Sequence, residues 1–387
     1  MNFALTEEQE LIVKTTREFV RNELVPHERE VEDTGVLREE LLRELKAKAI
    51  AAGLYAANMP AEVGGAGLEG VSWVLYEKEL GYTGYALQYS CVARPSNILL
   101  ACTGEQRERY LLPAVRGERA DCLAMTEPGA GSDVRGMKTT AQHKGGDFII
   151  NGTKHYISHA DHADFVILFA ASGEQDAARG RKKLITAFLV DKGIPGFVVR
   201  PGYRNVSHRG YNNSILEFSD CRVPKSAVLG EIHQGFEVAN TWLAATRLQV
   251  AANCLGRAER ALEAAKEWAA QRVQFGQQIG KFQGVSFKLA DMAMELRAAE
   301  LLTLEAAWKL EHKLATDTDF AMAKLKASEM LQMVSDEALQ IHGGMGLMSE
   351  LPLERIWRDA RIERIWDGTS EVQRHIISRA LLRPLGG

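Results

Sequence analysis

Apolar and polar positions follow three different rhythms along the chain. In the first stretch Leu11, Thr15, Phe19 and Val20, then Leu41, Leu45, Ile50 and Leu54, recur at helical steps, the spacing that gathers apolar side chains on one face. Thr6 with Gln9 three residues on has the form of a capping box. The loop Asn58-Met59-Pro60 and the run Gly64-Gly65-Ala66-Gly67 close this helical pair, and a further helix is expected over 85–101, bent at Pro95. From about residue 118 to 230 the rhythm shortens. Phe148-Ile149-Ile150, 165–169, 184–190, Phe197-Val198-Val199 and 215–218 are short apolar runs bounded by Gly, Pro, Asn and Asp, the pattern of strands. No helix-length segment separates them, which favours antiparallel β structure over βαβ units.

Proline is absent between Pro224 and Pro352. Three long stripes fill that interval: Val250, Cys254, Ala258, Ala261, Ala265 and Trp268; Val285, Leu289, Met292, Leu296 and Ala299; and Ala323, Ala327, Met330, Val334, Ala338 and Ile341. With a last helix over 371–382 they predict a four-helix bundle packed through these faces. The expected architecture is mainly α with a middle β-domain: a helical segment over 1–117, β structure over 118–230 and the bundle over 231–387.

A chain of 387 residues exceeds what one ordinary core organises, in keeping with that division. The net charge of −4 gives no reason to expect nucleic acid or an anionic membrane as partner, so an anionic ligand must be held locally. Cys91, Cys102, Cys122, Cys221 and Cys254 are scattered without metal-like spacing, which suits buried thiols in a reducing compartment. No apolar run approaches the roughly 20 residues of a membrane span. The acidic opening lacks a signal or transit pattern, so a cytoplasmic location is expected ahead of a mitochondrial matrix one.

Five motifs carry candidate chemistry. Thr126-Glu127-Pro128-Gly129-Ala130-Gly131-Ser132-Asp133 offers backbone N–H groups and hydroxyls to a phosphate or a flavin edge, or is an ordinary loop. It lacks the third glycine and βαβ setting of a dinucleotide fingerprint. Asn151-Gly152-Thr153-Lys154-His155-Tyr156-Ile157-Ser158 presents an aromatic and a hydroxyl, or simply a hairpin. Arg272-Val273-Gln274-Phe275-Gly276 with Phe282-Gln283 breaks from the apolar seam, as a helix–loop boundary also does. Gln340-Ile341-His342-Gly343-Gly344-Met345-Gly346 ends a helix or lets backbone approach a ligand. Trp366-Asp367-Gly368-Thr369-Ser370-Glu371 sets a carboxylate before a helix, where its plain reading is a cap.

In this order and spacing, with the opening Leu5-Thr6-Glu7-Glu8-Gln9-Glu10 and the approach 358–370, the motifs resemble the acyl-CoA dehydrogenase family from end to end. The resemblance implies that family's fold: an α-helical N-domain, an antiparallel, barrel-like middle β-domain and a C-terminal four-helix bundle. It implies FAD-dependent removal of hydrogen from Cα and Cβ of an acyl-CoA thioester, giving a trans-2-enoyl-CoA. Electron-transfer flavoprotein is the acceptor and a homotetramer, a dimer of dimers, the assembly that it implies. Residue by residue, 123–132 are expected to line the flavin, with Leu123, Met125, Thr126 and Gly131 as contacts and Ser132 shared with substrate. Tyr156 matches the aromatic that covers the ring and Ser158 the hydroxyl at N5. Arg272, Phe275 and Gln283 match the segment that reaches the neighbouring subunit's FAD, Gln340, Gly343 and Gly344 the adenosine-diphosphate contacts, and Thr369 and Glu371 the final ones. Arg247 and Gly368 match substrate contacts, and Asp367 the catalytic base.

The chemistry explains these residue types. A thioester α-proton is a poor acid, so its carbonyl needs preorganised donors, and a carboxylate buried beside an apolar acyl chain becomes a stronger base. Most relatives carry Glu where Asp367 stands. Aspartate is one methylene shorter, about 1 Å of reach and enough to cost ~10²-fold in an unchanged pocket. Three readings follow: a pocket reshaped for a branched or cyclic acyl group, a nitroalkane-oxidase-like relative that uses Asp, or a weakened site, whose extreme is a non-catalytic flavin-binding protein. A working or attenuated dehydrogenase is the reading preferred. Tyr85, Tyr89 and Arg94 fall on the helix expected to wall the acyl pocket, and Arg179, Arg181, Lys182 and Lys183 form a basic run read as a solvated loop or a CoA-phosphate contact.

Overall fold

The computed structural model describes residues 4–177 and 180–385. The N-terminal stretch contains α1 (Glu7–Phe19), α2 (Glu28–Thr34), α3 (Glu39–Ala51), α4 (Gly70–Leu80), α5 (Tyr85–Cys91) and α6 (Leu112–Val115). The Thr6–Gln9 capping box is formed in both directions. The helix expected over 85–101 stops at Cys91, and a separate 3-10 turn spans Asn97–Ala101. The chain before Pro95 is pushed out of the α region and cannot carry the helix through.

The middle stretch forms one open sheet. Its strands are β1 (Asp121–Ala124), β2 (Thr140–Lys144), β3 (Asp147–Ser158), β4 (Phe165–Ala177), β5 (Gly180–Asp191), β6 (Phe197–Pro201), β7 (Asn213–Pro224) and β8 (Val228–Leu229). They run in the order β6-β7-β3-β2-β4-β5-β8, with β1 paired to β4, and no ring closes among the described residues. Most pairings are antiparallel as expected, but β1 lies parallel to β4, and so does the single pair Thr140↔Ala171 between β2 and β4. Asn151-Gly152 is no hairpin turn. It sits inside the twelve residues of β3, at a register shift against β7. A side chain at Gly152 would strike the Thr139 backbone at 2.6 Å, the close approach that selects glycine at a bulge. Of the basic run, Arg179 lies outside the described residues. Lys182 and Lys183 belong to β5, not to a loop, and Lys183 Nζ donates to the Met137 carbonyl at 2.6 Å.

The last stretch holds α7 (Gly235–Gln271), a short hairpin of β9 (Val273–Gln274) and β10 (Gln277–Gln278), then α8 (Gln283–Glu311), α9 (Asp317–His342), α10 (Leu353–Glu363) and α11 (Ser370–Leu382). The stripes of α7 and α9 are buried as their spacing predicts, except that Trp268 is half-buried. The α10 helix, which periodicity did not separate from the approach to α11, packs on α9 and α7. The α4 helix crosses α7 so closely that a Cβ on Gly256 would meet the Lys78 carbonyl oxygen at 1.9 Å, so the first and last helical stretches share one core.

Buried ion pairs lock that shared core. Glu28 takes Arg260 at 2.7 Å and Arg355 at 2.9 Å. Glu363 takes Arg257, and its other oxygen accepts from Trp366 Nε1 at 2.7 Å. Burial works against the Glu363 anion, yet Arg257, with His208 Nε2 3.4 Å away, holds its carboxyl at about 2. Because that lies below the ordinary value of 4.5, the stabilisation is complete above 4.5 and is lost as pH falls toward 2. Arg257→Met, which strands the anion, is expected to lower stability by about 3–5 kcal/mol in urea unfolding. Glu363→Gln is expected to flatten the stability–pH curve across that acid window.

Candidate active site

Asp367 sits in the turn between α10 and α11 with φ 51°, followed by Gly368 at φ 88°. A side chain in the left-handed region costs on the order of 1–3 kcal/mol, so the surroundings must impose it. They do so through the backbone. Lys324, on the buried face of α9, donates from Nζ to the Trp366 carbonyl at 3.0 Å and the Gly368 carbonyl at 2.8 Å. Gln373 Nε2 donates to the Gly368 carbonyl at 2.9 Å, and the Ser370 N–H closes the turn on the Arg364 carbonyl at 3.0 Å. The cap of α11 is the Thr369 hydroxyl, which accepts from the Val372 N–H at 3.2 Å. Asp367 is thereby released from the capping role that its position suggested.

Burial pushes the Asp367 carboxyl up to about 6. The Lys324 charge opposes the rise, Glu363 reinforces it, and Thr246 and Arg247 draw it down. Among the described residues no cation makes a direct ion pair with it. Arg247, buried on α7, touches Asp317 at 3.4 Å and leaves its Nε without a partner.

An aromatic wall surrounds this turn. The Tyr85 ring lies 5.3 Å from Tyr89, 5.0 Å from Tyr211, 5.0 Å from Trp366 and 4.8 Å from His208, and His208 stacks on Trp366 at 4.9 Å. Asp367 is within electrostatic reach of Tyr85, Tyr89 and Tyr211. Arg94 has no donor left for a ligand. Its Nε meets Glu77 at 2.8 Å, Nη1 serves the Gln88 and Val92 carbonyls, and Nη2 serves Glu77 and the Gln88 side chain. A guanidinium has five N–H groups, and all are used.

The first two motifs are docked on each other. Buried Lys154 reaches Glu127 at 2.8 Å and the Met125 carbonyl at 3.0 Å, and the His155 N–H donates to the Thr126 carbonyl at 3.0 Å. Glu127 also accepts from the Lys138 and Thr139 N–H groups. Leu123 and Met125 lie on and just after β1, while Gly129, Gly131 and Ser132 are exposed with open space above the glycines. Tyr156 stands at φ 56° with its ring 56% exposed, flanked by His155 at 4.0 Å and Tyr203 at 5.2 Å. Ser158 is half-buried at the end of β3.

The remaining candidates gather elsewhere. Phe275 (φ 50°) and Gly276 (φ 79°) form the two-residue tip of the β9–β10 hairpin, with the paired positive φ of a tight hairpin turn, not a plain helix–loop boundary. Phe275 is 94% exposed. Arg272 lies 6.0 Å from the Trp268 ring, which stacks on His342 at 5.0 Å, so the hairpin base and the 340–344 turn meet. Gln283, Gln340, Gly343 and Gly344 are exposed, as is Glu371 in the first turn of α11. Among the described residues, nothing in this second cluster touches Thr126, Tyr156, Ser158 or Asp367 by hydrogen bond, ion pair or ring contact. Sequence reasoning missed Lys324, Gln373, His208 and Tyr211. Lys324 left a signal, a lone cation in the buried stripe of α9.

Profiles of known families match the chain in three consecutive parts: the N-terminal domain of acyl-CoA dehydrogenase over 6–118, its middle domain over 122–221 and its C-terminal domain over 233–382. A probable acyl-CoA dehydrogenase of Bacillus subtilis (strain 168) is 37% identical, over 99% of this chain and 100% of its own. Human mitochondrial short-chain specific acyl-CoA dehydrogenase is 37% identical over 98% and 91%. A chain from structural work on the electron transferring flavoprotein of Acidaminococcus fermentans superposes with a TM-score of 0.90 at 35% identity, covering 99% of this chain and 100% of that one.

Because the Lys324 charge lowers the Asp367 carboxyl, Lys324→Met is expected to move its titration midpoint above about 6. Carbon-13 NMR of the labelled carboxyl reads this directly, and an unchanged midpoint would show that Lys324 acts on the backbone alone.

Proposed function

The chain belongs to the acyl-CoA dehydrogenase family, and on that premise we propose that it oxidises a short acyl-CoA thioester to the trans-2-enoyl-CoA with Asp367 as base. The observation that carries the assignment is a carboxylate without an ion pair, pinned at positive φ and raised to about 6 beside an aromatic wall. A perturbed carboxylate in such a setting suits proton transfer near neutral pH. Asp367 takes the α-proton, and its backbone N–H, turned with the strained φ, donates to the thioester oxygen where enolate charge develops. Arg247 and Gly368 line the substrate side, joined by Ser132 at the mouth.

The residues present fit FAD. The backbone at Gly129, Gly131, Gly343 and Gly344 faces open space, where a ligand can approach it. The exposed Tyr156 face and the hydroxyls of Thr126, Ser132 and Ser158 suit a ring with polar edges. Leu123 and Met125 complete that side, and Arg272, Phe275, Gln283, Gln340, Thr369 and Glu371 would hold the remainder. When bound, FAD supplies the acceptor for the β-hydride at N5.

The two clusters are reconciled by assembly. The hairpin cluster completes the flavin site of a neighbouring copy in the proposed homotetramer. Phe287, Met294, Leu301 and Trp308 stand exposed at seven-residue intervals along α8, an apolar stripe that a partner helix would cover. The matched chain from work on an electron transferring flavoprotein supports such a protein as electron acceptor. Bacterial relatives and five free, buried cysteines support a cytoplasmic setting, and the three matched parts support three domains with boundaries near 117 and 230.

Anaerobic addition of butanoyl-CoA to the FAD-loaded protein is expected to bleach its yellow absorbance. If no acyl-CoA does so, nitroalkanes become the substrates to test, the reading that aspartate at 367 alone favours. Asp367→Asn is expected to lower kcat by about 10²–10⁴-fold, and the wild-type kcat/KM to fall as pH drops through about 6. Asp367→Glu is expected to slow the reaction too, because the pinned backbone cannot retreat for an extra methylene; faster turnover would identify an attenuated site. Phe287→Glu with Leu301→Glu is expected to break the assembly, seen by light scattering.

A further inference from the structure

The segment between β6 and β7 reaches from the sheet to grip α10. The Ser207 hydroxyl donates to the Arg358 carbonyl at 2.7 Å, and the His208 N–H donates to Asp359 Oδ1 at 2.7 Å. Arg358 Nη1 donates in return to the Val206 carbonyl at 2.8 Å, and its guanidinium is fixed by Glu32 and Glu354, each at 2.7 Å. These bonds hold His208 at φ 53° with 3% of its surface exposed. Such a backbone persists where the surroundings impose it, and an outlier of this kind raises the question of what it places.

What it places is an aromatic face. The His208 ring covers Trp366 almost flat, with 4.9 Å between centroids and 18° between planes. Tyr85 meets these two rings obliquely, at 60° and 56°. The edge of the His208 ring answers a separate need. Nε2 lies 3.4 Å from Glu363 and Nδ1 3.9 Å from Asp359, where a hydrocarbon edge would desolvate two carboxylates and return nothing. Neither nitrogen has a hydrogen-bond partner among the described residues. The cavity beside the ring, bounded by Val31, Arg355 and Asp359, measures about 10 Å³, space for one water and not for a ring to swing into. Trp366 is therefore held three ways: its carbonyl by Lys324 at 3.0 Å, its indole N–H by Glu363 at 2.7 Å, and its face by His208. Asp367 is the next residue, in the turn between α10 and α11.

Resting on the dehydrogenase reading, we propose that His208 is a positioning residue: its ring face braces Trp366 and so keeps the Asp367 carboxylate aimed, while its nitrogens fit the ring between Asp359 and Glu363. His208 itself exchanges no proton with the substrate.

The two properties of the ring can be separated in the FAD-loaded protein. His208→Gln keeps a polar edge and loses the face, whereas His208→Phe keeps the face and loses the polar edge. His208→Gln is expected to lower kcat by about 10–100-fold with KM changed less than about threefold. It is also expected to speed hydrogen exchange of the backbone N–H groups at 366–368. His208→Phe is expected to hold kcat within about threefold of wild type while unfolding at lower urea concentration. A merely structural residue would instead tie kcat to stability in both variants. Unchanged kcat and exchange in His208→Gln would overturn the proposal, as would a His208→Phe protein that folds but is as slow as His208→Gln. If His208→Phe fails to fold, a Trp366→Leu background decides: there His208→Gln should cost nothing further, and a full additional loss sinks the brace. Bleaching by an acyl-CoA without a kcat loss in His208→Gln removes this inference alone. No bleaching by any acyl-CoA removes the dehydrogenase reading, and with it the purpose assigned to the brace.

Discussion

The reach of Lys324 to the carbonyls of Trp366 and Gly368 is the constraint on which the site depends. One ammonium on the inner face of α9 fixes the turn before α11, and that turn decides where the Asp367 carboxylate points. The same charge tempers the burial that raises Asp367. Geometry and acidity are therefore set by one side chain, whose own proton affinity burial lowers. Using carbonyls as partners, and not the carboxylate, leaves the proposed base without an ion pair among the described residues. A direct Lys–Asp ion pair would hold the turn equally well but quench the base by favouring its anion too strongly.

Strain follows the same plan. Tyr156, Phe275 and Asp367 occupy the left-handed region at three places proposed to meet cofactor or substrate. Each is held from outside its own side chain: Tyr156 within a strand docked on the 126–133 loop through Lys154 and Glu127, Phe275 by the two-residue hairpin, Asp367 by Lys324 and Gln373. Such conformations persist when the surroundings over-determine them. What differs is completion. The Tyr156 and Asp367 regions are bounded by neighbouring residues, whereas Phe275 is 94% exposed, as the proposed contact with a second copy requires.

Much of the architecture was legible because it rests on periodicity. The stripes at 250–265 and 323–341 are buried where helical spacing put them, and the short apolar runs became β3 to β7. Features set by tertiary geometry were not legible. The break of α5 depends on the chain reaching Pro95, and the placement of Asn151-Gly152 inside β3 depends on Thr139 pressing on the bulge. The site was legible as a set of motifs but not as an arrangement: which oxygen caps α11, and that Arg94 spends every donor on Glu77, Gln88 and Val92, follow from packing that no local window contains.

Pairing separates Asp367 from most of the buried carboxylates. Glu28, Glu77, Glu127 and Glu363 each meet Arg or Lys directly, and these four tie helix to helix or loop to strand. Asp367, half-buried, meets none among the described residues, and burial raises it to about 6. A fold gains nothing from a desolvated carboxylate that it leaves unpaired, since replacing it with an apolar residue would remove the cost. Retaining such a group beside an aromatic wall is intelligible if something that binds there completes it. For Asp367 that is an acidic C–H bond, which asks for a base without a competing cation. On this view the aspartate at 367 belongs to a pocket whose tyrosines draw the acyl group into closer reach, and its shortness reflects the substrate it serves.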